Sequence, residues 1–122
     1  MKSKYQNLNS KQRRRIRTEV CRRDNYICCY CGIDLLASNT LFHFRSVDHI
    51  QPIGEGGESL DTKNMVCCCN ICNNMKSNYV ASSIEDARRY IDNKRFEFDL
   101  MYKAERKRFR GSWFHRVLRW LW

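Results

Sequence analysis

A small α+β domain is the fold class that this 122-residue sequence predicts. Three observations predict it. Two short stretches rich in β-branched and aromatic residues lie in the middle of the chain. Helix-start signals flank them on both sides. Two Cys-x-x-Cys pairs bracket the segment that holds both stretches.

The elements follow in order. Residues 1 to 8 read as a loose arm. Asn9 with Gln12 three positions on makes a capping box, so a helix is expected over 10 to 24. Its apolar positions are Ile16, Val20 and Cys21. Arg13, Arg14, Arg15, Arg17, Arg22 and Arg23 fill the rest, as a solvated face or as phosphate contacts. Tyr26 to Gly32 should form a first metal knuckle, with Gly32 allowing its tight turn. Residues 33 to 39 read as loop. Thr40 to Ile50 reads as a strand. Pro52 to Gly57 is a loop that continues through Leu60 to Thr62. Asn64 to Cys68 reads as a second strand, antiparallel to the first across a long connection. Asn70 to Asn78 fits a short helix that opens on the second knuckle. Ser82 and Glu85 form another capping box. Ile84, Ala87, Ile91, Phe98 and Met101 then recur at helical spacing, so a long helix is expected over 83 to 109, with this stripe packed on the domain. Gly111 is its stop. Lys103, Arg106, Lys107, Arg108 and Arg110 make that end basic, which suits the helix dipole. The organisation is one domain over 1–122: a basic helix (9–24), a core (25–80), then a helix and tail (81–122).

Charge and cysteines narrow the function classes. Lys and Arg number 23 against 13 Asp and Glu, a net charge of +10. That favours a polyanionic partner, nucleic acid or an anionic membrane surface. No apolar run reaches the length of a membrane span. The N-terminal stretch is polar and basic, without the apolar centre of a secretory signal. The expected compartment is therefore the reducing cytoplasm, where disulfides are rare. Eight cysteines in that setting point to metal. The pairs Cys28-x-x-Cys31 and Cys69-x-x-Cys72 supply four thiolates, the donor set of a closed structural zinc site. Cys68 competes with Cys69 for the third position. Cys21, Cys29 and Cys67 read as small apolar fillers.

Asp48 and His49 sit at the end of the first expected strand. A carboxylate with an amide oxygen from Asn73 or Asn74 makes a hard donor set, suited to Mg²⁺ or Mn²⁺ with retained waters. A neutral imidazole beside such a cation takes a proton from water near neutral pH. These are the parts for hydrolysing a phosphodiester. Neighbours on a strand point to opposite faces, so the pair can share one site only where the strand ends or bulges.

The stretches RRDNYICCYCG (22–32), SVDHIQPIGEGGESLDTKNMV (46–66) and CNICNNMKSN (69–78) resemble HNH endonucleases of the ββα-metal type with two zinc knuckles. The resemblance covers about residues 22 to 78. It implies a small ββα-metal (His-Me finger) core and a metal-dependent DNA endonuclease. It makes His49 the general base and Asp48 a ligand of the catalytic cation. Asn64 takes the middle position of the motif, bracing the loop and setting His49. Asn73 stands where the family name has its last His, and an amide oxygen there still suits a hard cation. The resemblance also selects Cys69 over Cys68 as zinc ligand. The implied partner is nucleic acid, double-stranded DNA first, and a bacterial or phage setting is expected. The rival reading is a non-catalytic zinc-stabilised DNA-binding or accessory protein. The tail GSWFHRVLRWLW joins Trp113, Phe114, Trp120, Leu121 and Trp122 to Arg116 and Arg119. It folds back on the body, stacks on DNA, meets a protein partner or lies on a membrane surface. His43 and His115 match no motif position and read as structural or surface residues. Lys76 and Arg45 reach phosphate or stay solvated.

Overall fold

The computed structural model describes residues 4–51, 60–111 and 113–121, with side chains of 113–115 left aside. The chain divides into two compact units, Met1–Ile91 and Asp92–Trp122. The expected loop at Pro52–Gly57 lies outside the described residues.

The first unit opens with α1 (Ser10–Arg23). Its capping box forms as the sequence implies. Asn9 Oδ1 accepts the Gln12 backbone N–H at 2.8 Å, and Gln12 Oε1 accepts the Asn9 N–H at 2.9 Å. Val20 and Cys21 are its buried residues. Asn25 and Tyr26 then take left-handed backbone conformations (φ 56° and 55°), which turns the chain sharply out of the helix.

The next element departs from the sequence expectation. Residues 40–43 are not strand. They belong to a short helix, α2 (Asn39–His43), and strand β1 covers only Arg45–His49. The cause is local capping. The Ser38 hydroxyl accepts the Leu41 N–H at 3.1 Å, which starts a helical turn against the β propensity of Thr40 and Phe42. Arg45 closes the turn by donating to the Phe42 carbonyl at 2.8 Å and lying 3.9 Å over the Phe42 ring.

Strand β2 (Met65–Cys69) pairs antiparallel with β1, with Arg45 opposite Cys69 and His49 opposite Met65. It starts one residue later than the sequence predicts, because Asn64 ends a 3-10 turn (Thr62–Asn64). Every residue of β2 is buried. Its outer edge is covered by other backbone and side-chain groups. Arg23 donates to the carbonyls of Thr62 (2.7 Å) and Met65 (2.5 Å). Asp24 Oδ2 accepts the Cys67 N–H at 2.8 Å, and the Cys67 carbonyl accepts from Cys29 N–H at 3.0 Å. Burial works to raise the Asp24 carboxyl, but Arg23 and the Cys67 N–H outweigh it and hold it below the usual range. Helix α3 (Asn70–Lys76) follows at once and completes a ββα unit. Leu35, Val66, Cys67, Cys68, Ala87 and Ile91 lie in the core around it.

Helix α4 (Ile84–Arg110) is capped one residue later than the sequence suggests. Ser83, not Ser82, accepts the N3 amide, from Asp86 at 3.1 Å. Asp86 in turn accepts from the Ser82 N–H at 2.9 Å and from the Tyr79 hydroxyl at 3.0 Å. Of the expected apolar stripe, Ala87 and Ile91 are buried, whereas Phe98 and Met101 are exposed.

In the second unit α4 ends at Arg110. Gly111 is required there on steric grounds, since a Cβ would collide with the Lys107 carbonyl. A further helix, α5 (Trp113–Leu121), covers the tail, with Trp120 and Leu121 exposed.

The Arg23–Asp24 clasp gives a direct test. Asp24→Asn removes a charged acceptor of two partners and is expected to lower unfolding stability by about 2 kcal/mol, read from urea melts at pH 7. An unchanged midpoint would show that the clasp does not hold α1 against β2.

Candidate functional site

Four cysteines converge at the joint of this fold. The ligand atoms of Cys28, Cys31, Cys69 and Cys72 all lie within 4.8 Å of one another, and Cys31 Sγ is 3.9 Å from Cys69 Sγ. Tetrahedral zinc with thiolates places sulfurs about 3.8 Å apart, so the tetrad fits that ion. Each pair is shaped by its own backbone. The Cys31 N–H points at Cys28 Sγ (3.5 Å) and the Cys72 N–H at Cys69 Sγ (3.4 Å). Gly32 supplies the left-handed turn at φ 77°. Cys69 is at once the last residue of β2, the N-cap of α3 and a member of the tetrad.

The thiols divide by environment. Hydrogen bonds from Cys69 and Cys72 hold the Cys28 thiol well below its ordinary value. The same sharing pushes Cys69 up to about 11 and raises Cys72. A metal cation would displace the protons that remain. Cys68 stays outside the tetrad, buried and pushed up by burial. Cys21 and Cys67 are likewise fully buried, as fillers would be.

The tetrad is linked directly to the acid–histidine pair. Tyr30, between the two cysteines of the first knuckle, donates its hydroxyl to Asp48 Oδ2 at 2.5 Å. Burial, then the Asp48 charge, raises the Tyr30 phenol, so it stays a donor. Lys76, from the last turn of α3, places Nζ 3.1 Å from the same Oδ2 and donates to the His49 carbonyl at 3.0 Å. The Lys76 side chain is 0% exposed and that of Asp48 9%. Sequence reasoning left Lys76 on the surface or on phosphate; it is instead a buried partner of Asp48. Its i+3 relation to Asn73 on a helix was the available signal.

Strand alternation sets which candidates share a face. Ser46 and Asp48 lie on the face toward α3. Asn73 is half-buried and donates its Nδ2 to the Ser46 hydroxyl at 3.0 Å. Among the described residues its Oδ1 carries no hydrogen bond, which leaves an acceptor beside the Asp48 row. His49 is the last residue of β1, opposite Met65 at the point where the strand ends. The Tyr5 ring stands edge-on to its imidazole with centroids 5.3 Å apart, a neighbour with no signal in the sequence. Asn64 clasps the chain just past His49. Its Oδ1 accepts the Gln51 N–H at 2.9 Å and its Nδ2 donates to the Gln51 carbonyl at 3.1 Å. Ile50 N–H also bonds the Asn64 carbonyl at 2.8 Å. Asn74 is exposed.

A two-stranded antiparallel hairpin, a short helix and a cysteine tetrad at their joint define the small ββα-metal fold. Residues 28–79, just under half of the chain, match the family model described as HNH endonuclease. Neither the curated proteins nor the solved structures compared with the chain give a match. The domain supports a nuclease-type or nucleic-acid-binding role. No helix among the described residues is long and apolar enough to cross a membrane.

Cys72→Ser is expected to abolish stoichiometric zinc and to destabilise the first unit, while Cys68→Ala retains both zinc and fold. Metal analysis with far-UV circular dichroism reads the contrast. A folded Cys72→Ser protein lacking zinc would refute the staple.

Proposed function

We propose that the chain is a metal-dependent HNH endonuclease that hydrolyses DNA phosphodiester bonds. One observation supports this above the others: the tetrad, through Tyr30 and α3, fixes Asp48 and Asn73 on one side of β1 at the point where the strand ends in His49. Asp48 Oδ1 and Asn73 Oδ1 are the oxygens that would hold Mg²⁺ or Mn²⁺, both hard donors. A cation there supplies charge neutralisation at the phosphate and its leaving oxygen.

The chain's own residues do the rest. The His49 imidazole takes a proton from the attacking water, whose oxygen bonds phosphorus as the bond to the leaving oxygen breaks. The leaving oxygen takes its proton from solvent. Asn64 fixes the backbone at Gln51 and Ile50, and so the direction in which the strand ends. The Cys tetrad takes no part in bond breaking and acts as the structural zinc staple. Double-stranded DNA suits the +10 net charge.

The Asp48–Lys76 ion pair favours a second reading, a non-catalytic zinc-stabilised DNA-binding module, because it gives the acid a partner of its own. Cleavage separates the two. Wild type is expected to nick or linearise plasmid DNA with Mg²⁺ or Mn²⁺ and not with EDTA. His49→Ala is expected to lose roughly a hundredfold or more in rate, with zinc content and fold unchanged. DNA binding without metal-dependent cutting by wild type would favour the second reading.

A further inference from the structure

We propose that Lys76 is a built-in counter-cation, which makes divalent-cation binding at Asp48 and Asn73 conditional on the phosphodiester itself. The inference rests on the reading of those two residues as the cation-holding pair. Lys76 has no exposed side-chain surface, and its Nζ sits 3.1 Å from Asp48 Oδ2 and 3.0 Å from the His49 carbonyl. Tyr30 donates to the same Oδ2, so that oxygen is fully engaged. No buried polar side-chain atom among the described residues lacks a partner, so the unbonded Oδ1 reaches solvent. Asp48 therefore offers one oxygen to a cation, and its charge is already matched by an ammonium on the other.

The second candidate ligand, Asn73, is a neutral amide. The donor set with Lys76 then carries no net negative charge. Affinity for hard cations rises with the number of charged ligands. A divalent cation at Oδ1 would also share one carboxylate with a positive charge a few ångströms away, held there by burial. The missing negative charge is one that a phosphodiester brings with each linkage. Nucleic acid and cation are thus expected to bind together, each raising the affinity for the other by the same factor. Lys76 acts through Asp48 and the His49 backbone, and so is a positioning residue.

The test is calorimetric titration of Mn²⁺ into zinc-loaded His49→Ala protein, chosen because its cleavage is expected to be slow, alone and with a short DNA duplex. Uptake by the duplex alone is subtracted. Mn²⁺ is expected to bind roughly tenfold or more tightly with the duplex. In the same background Lys76→Met, or Lys76→Gln, which keeps a donor for the His49 carbonyl, is expected to tighten binding without duplex and narrow the gap. Lys76→Arg is expected to keep the gap. A merely structural lysine would weaken binding in both arms when replaced. Equal Mn²⁺ affinity with and without duplex, measured with Lys76 intact, overturns the inference whether or not the variants fold. Unchanged or weaker duplex-free binding in folded Lys76→Met or Lys76→Gln protein overturns it as well. No Mn²⁺ binding in either arm, with the duplex still bound, overturns the cation-holding reading beneath it.

Discussion

The structure depends on one closure: two cysteine pairs, with Cys31 and Cys69 separated by 38 positions, meeting at one point. The ββα unit is small, and a two-stranded hairpin alone is marginally stable in water. Bringing Cys28 and Cys31 against Cys69 and Cys72 fixes where the first knuckle sits relative to β2 and where α3 begins. Cys69 bears most of this, since strand end, helix cap and tetrad coincide in it. The Arg23–Asp24 clasp covers the outer edge of β2 from the other side. Together they leave β2 wholly buried and β1 only partly so.

From that closure the candidate site follows by short links. Tyr30 belongs to the first knuckle and Lys76 to the helix that the second knuckle starts. Both end on one oxygen of Asp48. Breaking such a buried ion pair by removing one partner costs about 3–5 kcal/mol, because it leaves an uncompensated charge. The pair is therefore a strong restraint on where the Asp48 carboxylate can be. Asn73, three residues before Lys76 on the same helix, is tied to β1 through Ser46. The acid and the amide are held by the fold rather than by each other. His49 stands apart at the strand end, its backbone gripped by Lys76 and its imidazole beside Tyr5.

Much of this was legible in the sequence because it rests on local chemistry. The Asn9–Gln12 box, the left-handed Gly32 and the two Cys-x-x-Cys pairs each act within a few residues, and each is found in the structure. The antiparallel pairing of the two strands was legible from composition. What was missed depends on competition or on distance. Thr40 to His43 carry β propensity, yet one serine cap turned them into helix. Ser82 and Ser83 are equivalent cap candidates by type, and the Tyr79 and Asp86 contacts chose between them. Lys76 looks like any surface lysine on a short helix. Only the tertiary placement of Asp48 beneath it reveals that it is buried.

The central claim is that one domain carries two separate metal-holding sets, a soft tetrad for structure and a hard pair for chemistry. The most direct measurement is anomalous diffraction from crystals grown with zinc, Mn²⁺ and a DNA duplex bound to His49→Ala protein. The account predicts zinc at Cys28, Cys31, Cys69 and Cys72, and a separate Mn²⁺ between Asp48, Asn73 and a phosphate oxygen. DNA bound across the domain with no Mn²⁺ at Asp48 and Asn73, or with the ion held by other residues, would contradict it.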